Sequence, residues 1–111
     1  MTASGNTNPN TILFTCDGIP NNTFCTFLRS NASLDTGFVF GDGVKCLNGT
    51  GIRFGSQNAG QNGNPANTVS SSTASFPGGT TRYYQLYYRN PNAGFCPPEL
   101  FNISNGYRVT W

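Results

Sequence analysis

Side-chain character along this chain repeats every second residue, and no segment sustains the three-to-four-residue recurrence of a helix. In Arg82 to Asn90, Tyr84, Leu86 and Tyr88 fall on one face, and Tyr83, Gln85, Tyr87 and Arg89 on the other. In Thr11 to Cys16, Ile12, Phe14 and Cys16 share a face. Shorter runs read as strands at Phe24–Leu28, Phe38–Phe40, Val44–Leu47, Ile52–Phe54, Phe101–Ser104 and Tyr107–Trp111. Turn residues punctuate them: Asp17 to Asn22, Gly41-Asp42-Gly43, Asn48-Gly49 and Pro77-Gly78-Gly79. Gly55 to Asn67, almost all Gly, Asn, Gln and Ala, reads as a long loop, and Thr68 to Phe76 as a polar strand with small side chains. A second loop spans Pro91 to Pro98. Asn105-Gly106 lies between two alternating runs, which is the signature of a type I′ hairpin. Seven or eight short antiparallel strands without a helix predict an all-β domain, best read as a two-sheet β-sandwich, with a closed barrel as the alternative. Residues 1–111 form one such domain, with 1–10 a polar N-terminal arm.

Composition explains why the strands are so polar. Charged residues make up 9% of the chain, against about 25% in an average soluble domain. Asn, Gly, Ser and Thr take their place. Six basic and four acidic residues leave a net charge of +2, with no basic stripe to follow a phosphate backbone, so nucleic acid is not an expected partner. No apolar run of about 20 residues is present, so no membrane span is expected. A surface this poor in charge fits an extracellular protein kept soluble by hydroxyls and amides. It equally fits a subunit built to touch its neighbours.

The cysteines set the expected compartment. Cys16, Cys25, Cys46 and Cys96 include no C-x-x-C pair, and the chain has no histidine, so zinc and other metals are not expected. Four cysteines in a small polar chain read as two disulfides formed in an oxidising, secreted setting. Of the three pairings, Cys16–Cys25 across one turn with Cys46–Cys96 is favoured. The second bridge closes a loop of about 50 residues, worth roughly 3–4 kcal/mol. No signal peptide is visible, so the reading is of a mature or excised secreted domain.

From Gly41 onward the chain resembles a module of secreted bacterial proteins that often closes them. The resemblance rests on Phe40-Gly41-Asp42-Gly43-Val44-Lys45-Cys46, on the Thr-Arg-x-Tyr-Gln-x-x-Tyr-Arg-Asn pattern at Thr81 to Asn90, on Phe-Cys-x-x-x-x-Phe-Asn-x-Ser-Asn-Gly at Phe95 to Gly106, and on Val-x-Trp at Val109 to Trp111. It implies secretion and agrees with a Cys46–Cys96 pair, but implies no activity. Similar modules begin with strand residues upstream of Thr-Ala-Ser-Gly. Here Met1 holds the preceding apolar slot, which suggests a missing first strand and an open sheet edge.

Catalytic residues are sparse. The acids are Asp17, Asp35, Asp42 and Glu99. Asp35 and Asp42 form the candidate pair for glycosidase chemistry, but each lies within two residues of a glycine, in turn contexts where Asp caps its own backbone. A lone carboxylate in Gly41-Asp42-Gly43 is too little for calcium. The chain is therefore expected not to be an enzyme and to need no cofactor. The remaining candidate surface is the outward row Tyr83, Gln85, Tyr87 and Arg89, suited either to a sugar ring or to contact with another subunit. Sequons at Asn21, Asn31, Asn48 and Asn102 matter only in a eukaryotic secretory pathway. The expected function is that of an extracellular structural subunit whose partners are copies of itself, in a filament or surface assembly. The alternative is a carbohydrate-binding or adhesive module that recognises glycans through surface tyrosines.

Overall fold

The computed structural model describes residues 1–49, 51–68, 76–91 and 99–111. Ten strands and no helix occur among them: β1 (Thr2–Ser4), β2 (Leu13–Thr15), β3 (Phe24–Ser30), β4 (Ala32–Phe40), β5 (Gly43–Asn48), β6 (Ile52–Asn58), β7 (Ala66–Thr68), β8 (Thr81–Arg89), β9 (Phe101–Ile103) and β10 (Tyr107–Thr110). All pairings are antiparallel. A three-stranded sheet runs β1-β2-β7, and a five-stranded sheet runs β10-β8-β3-β6, with β9 also on β8. The third unit is the β4-β5 hairpin. The all-β expectation holds, but the layers number three: two small sheets enclose the core, and the hairpin lies on the outer face of the larger one.

Alternation decides what faces the core. Ile12, Phe14 and Cys16 are all buried, as are Cys25 and Phe27 on β3, Tyr84 and Leu86 on β8, and Val109 on β10. Phe14 sits at the centre, its ring 4.4 Å from that of Tyr84 and 6.1 Å from those of Phe54 and Tyr107. One side chain thus joins the small sheet to three strands of the large one. Aromatic pairs at these separations add to the area that each ring buries.

The Gly- and Asn-rich run does not start a loop at Gly55. β6 continues to Asn58 because β3 offers it a complete ladder, from Phe24 opposite Asn58 to Arg29 opposite Ile52. Ladder bonds override the low strand propensity of Gly and Asn. The register shifts between Phe27 and Leu28, leaving Phe54 as the extra residue of a bulge, and the Phe54 ring packs against Phe14, Phe27 and Tyr84. Gly55 lies under Asn67 of β7, whose amide nitrogen would be only 1.5 Å from an added Cβ. The run ends in β7, paired with β2. The rest of the expected polar strand, residues 69–75, lies outside the described residues, as does most of the loop expected over 91–98.

The Asn105-Gly106 hairpin does not form. β9 and β10 both pair with β8, at Tyr87–Arg89 and Thr81–Tyr84 respectively, so they follow one another along the same edge. Residues 104–106 oppose only Gln85 and Leu86, which makes the junction a bulge. Gly106 is not among the positive-φ glycines that a type I′ turn would require. Asn105 is instead committed elsewhere: its amide oxygen accepts from the Met1 ammonium and its amide nitrogen donates to the Met1 carbonyl at 3.0 Å. The N-terminal arm is thereby held on its own domain, with Thr2 opposite Thr15 and Ser4 opposite Leu13.

Because Phe14 bridges the two sheets, Phe14→Ala should destabilise the domain by about 3–5 kcal/mol, the range for deleting a buried aromatic ring. A urea-unfolding midpoint that barely moves would show that the core is organised elsewhere.

Candidate functional site

The hairpin divides the outward row of β8. Gln85 is fully buried. Its amide oxygen accepts from the backbone N–H of Cys46 (2.8 Å) and of Leu47 (3.2 Å). Its amide nitrogen donates to the carbonyls of Val44 (3.0 Å) and Ser104 (2.8 Å). All four hydrogen-bonding positions of a glutamine side chain are used. Gln85 is therefore no surface contact residue but the clip that fastens β5 across β8 and the β9–β10 junction. The expected four-residue surface row is not continuous: Tyr83 lines a cleft beside Leu47 on one side of the hairpin, and Tyr87 and Arg89 line a separate groove on the other.

Glycines let the hairpin lie this close. Gly41 and Asp42 form its two-residue tip, and Gly41 has a φ of +61°, the positive value that a type II′ turn needs at its first central position. A Cβ on Gly41 would come within 2.4 Å of the Phe101 carbonyl oxygen, and one on Gly43 within 2.3 Å of the Asn102 amide oxygen. The Asp42 N–H donates to the Phe101 carbonyl at 3.1 Å, locking the tip to β9. The turn expected over Gly41-Asp42-Gly43 is thus also a docking device.

The groove beside Tyr87 has a volume of about 530 Å³, within the roughly 300–1,000 Å³ typical of ligand sites. Its wall is an aromatic triangle. Phe40 lies 5.1 Å from Phe101 and 6.4 Å from Tyr87, and Tyr87 lies 5.6 Å from Phe101, measured between ring centroids. Lys45, Arg53 and Arg89 also line it, and no carboxylate does among the described residues. The Lys45 ammonium sits 5.4 Å and 5.6 Å from the ring centres of Phe38 and Phe40, a cation–π arrangement that steadies it without neutralising it. Phe40, Lys45, Arg53 and Phe101 escape a reading strand by strand, because they come from four different strands and share no spacing.

Among the described residues the cysteines are not bridged. Cys16 and Cys25 are both buried free thiols, and Cys46 is a half-exposed one, so the structure contains neither a Cys16–Cys25 bond nor a disulfide at Cys46. Cys96 lies outside the described residues. Cys16 and Cys25 flank one turn, but the chain enters it from β2 and leaves it into β3, which belong to different sheets, and each thiol packs in the core as a small apolar side chain. The Cys25 thiol lies 3.3 Å from the Gln57 carbonyl oxygen. Burial, reinforced by the proximity of Cys16, pushes its pKa above the ordinary thiol value, the opposite of a reactive cysteine.

Asp35 and Asp42 both fall on the β4–β5 hairpin. Asp35 lies on an exposed, irregular stretch of β4, where Ser33 donates to it at 3.4 Å. Asp42 occupies the hairpin tip. No group of three or more His, Cys, Asp or Glu side chains able to hold a metal occurs among the described residues, nor does any helix long and apolar enough to cross a membrane. No family model matches the chain, and neither a curated protein nor a solved structure with significant similarity to it was found.

Two outcomes follow. Gln85→Leu leaves two N–H groups and two carbonyls facing an apolar side chain. It should cost about 2–5 kcal/mol and accelerate amide exchange at Cys46 and Leu47 first; uniform exchange across the domain would refute the clip. Stability should also fall in alkali. Burial raises the pKa of Cys25 above 9.0 and those of Tyr84 and Tyr88 above 10.0. The native state therefore holds protons that the unfolded chain has released, so stability is full below about pH 9 and is lost as pH rises through the raised values. Urea midpoints measured from pH 7 to pH 11 check the sign.

Proposed function

We propose that the chain is a non-catalytic, extracellular structural subunit that self-associates through its sheet edges into a filament or surface assembly. The observation that carries this reading is the pair of edges formed by β1 and β10. Among the described strands, β1 pairs only with β2 and β10 only with β8. The two flank a groove of about 240 Å³ that holds Ala3 and Ser4 on one side and Arg108 and Thr110 on the other. Trp111 donates to the Thr80 carbonyl at 2.9 Å. By antiparallel alternation, the ladder bonds of β10 therefore fall at positions 107, 109 and 111, and the N–H and C=O groups of Arg108 and Thr110 point away from β8. An edge with outward-facing donors and acceptors is a template for another strand.

Further support comes from the surface. Val39, Val44 and Phe38 are exposed on the hairpin, Val39 to 82%, and Val39 pairs with Val44 across it. With charge at 9% of the chain, little repulsion opposes contact between copies. A head-to-tail contact between two different edges propagates as a filament when its rotation does not close into a ring. The extracellular setting rests on the resemblance of residues 41–111 to modules of secreted bacterial proteins and on a surface of hydroxyls and amides in place of charges.

The edge is tested by Thr110→Pro, which removes an outward N–H while sparing the ladder to β8. The wild type should show a concentration-dependent rise in mass by light scattering, and Thr110→Pro should remain monomeric with a melting temperature within a few degrees. A wild type that stays monomeric at high concentration overturns the proposal; equal assembly of the variant moves the contact away from β10.

A further inference from the structure

We propose that the groove between the hairpin and the outer face of the large sheet binds an acidic polysaccharide, a chain of sugar rings that carry carboxylates. The groove shares no lining residue with the one between the β1 and β10 edges and does not depend on self-association. Three features fit this occupant together. The first is the aromatic triangle of Phe40, Tyr87 and Phe101, whose mutual packing at 5.1–6.4 Å fixes the rings in place. Preset ring faces accept the apolar face of a pyranose at little entropic cost, and the Tyr87 hydroxyl adds a hydrogen-bonding group for the ring hydroxyls.

The second feature is charge. Lys45, Arg53 and Arg89 are three of the chain's six basic residues, and all three line this one groove without a carboxylate in its lining. Elsewhere the molecule is nearly neutral. Two guanidinium groups are suited to bidentate recognition of carboxylates, and a neutral glycan would leave them without a purpose. The third feature is how the site is built. Its residues come from β3, β4, β5, β6, β8 and β9, and the hairpin is fixed above the sheet by Gln85, so the cations are presented around a shaped wall and not scattered over a flat surface. A nucleic acid strand could also stack on the aromatics, but binding it needs a row of cations extending along the backbone. Outside this groove Arg29 and Arg82 both sit against Phe76, 4.8 and 4.7 Å from its ring centre, and Arg108 stands on β10, so they do not extend a row from it.

The test is calorimetric titration of the full chain with polygalacturonate, a linear uronate polymer, alongside neutral dextran and a single-stranded oligonucleotide of mixed sequence. The uronate polymer should bind, more weakly as salt is raised, and dextran should not. The R53Q/R89Q double variant should weaken binding at least about tenfold, as expected for losing charged hydrogen bonds, with an unchanged melting temperature. Tyr87→Ala should also weaken it, and R82Q, outside the groove, should leave it unaltered. Absence of uronate binding, equal loss in R82Q, retention of full affinity in R53Q/R89Q, or tighter binding of dextran or the oligonucleotide each overturns the proposal.

Discussion

A single buried amide determines how the outer layer of this protein is arranged. A two-stranded ribbon such as β4–β5 is marginal on its own in water, and most of its β4 side chains are exposed. What holds it is Gln85, which offers two donors and two acceptor sites at fixed spacing and finds a backbone partner for each. In a low-dielectric setting such bonds are strong when complete and costly when broken. The clip has two structural consequences: it divides the outward face of β8, and it sets the roof of the groove beside Tyr87.

The inner layers are organised by different physics. There, ring packing around Phe14 and the burial of Phe27, Tyr84 and Leu86 provide a non-directional driving force. Cys16 and Cys25 take part as apolar side chains and not as a staple. The bulges at Phe54 and at residues 104–106 reconcile the two layers. The first turns an aromatic ring inward from a strand otherwise rich in small and polar residues. The second lets one edge of β8 carry two short strands while Ser104 remains within reach of Gln85 and Leu86.

The molecule thereby presents two different surfaces. At β1 and β10 it offers strand edges, the surface proposed for self-association. At the hairpin groove it offers three cations against aromatic rings, the surface proposed for an acidic polysaccharide. An assembly that used the first would repeat the second along its length, and weak binding of a polymer at each copy would add up through multivalency. Low overall charge suits this arrangement, because charge is concentrated where a ligand can use it.

Much of the fold can be read directly from side-chain alternation. The inward sets Ile12, Phe14, Cys16 and Tyr84, Leu86 follow from period two alone, since neighbouring side chains on a strand must point to opposite faces. The turn at Gly41–Asp42 follows from the backbone freedom of glycine. Other features were invisible because they depend on partners distant in the chain. Gly55 to Asn58 form strand only because β3 lies beside them. Asn105 leaves its expected turn because Met1 occupies its amide. Alternation placed Gln85 on the outward face but could not show that β5, some 40 positions earlier, would cover it. Sequence by itself determined which way each strand's side chains point, because that is local geometry. Tertiary structure alone decided which outward face is buried and which cations meet, because register and layering are set by contacts between strands far apart in the chain.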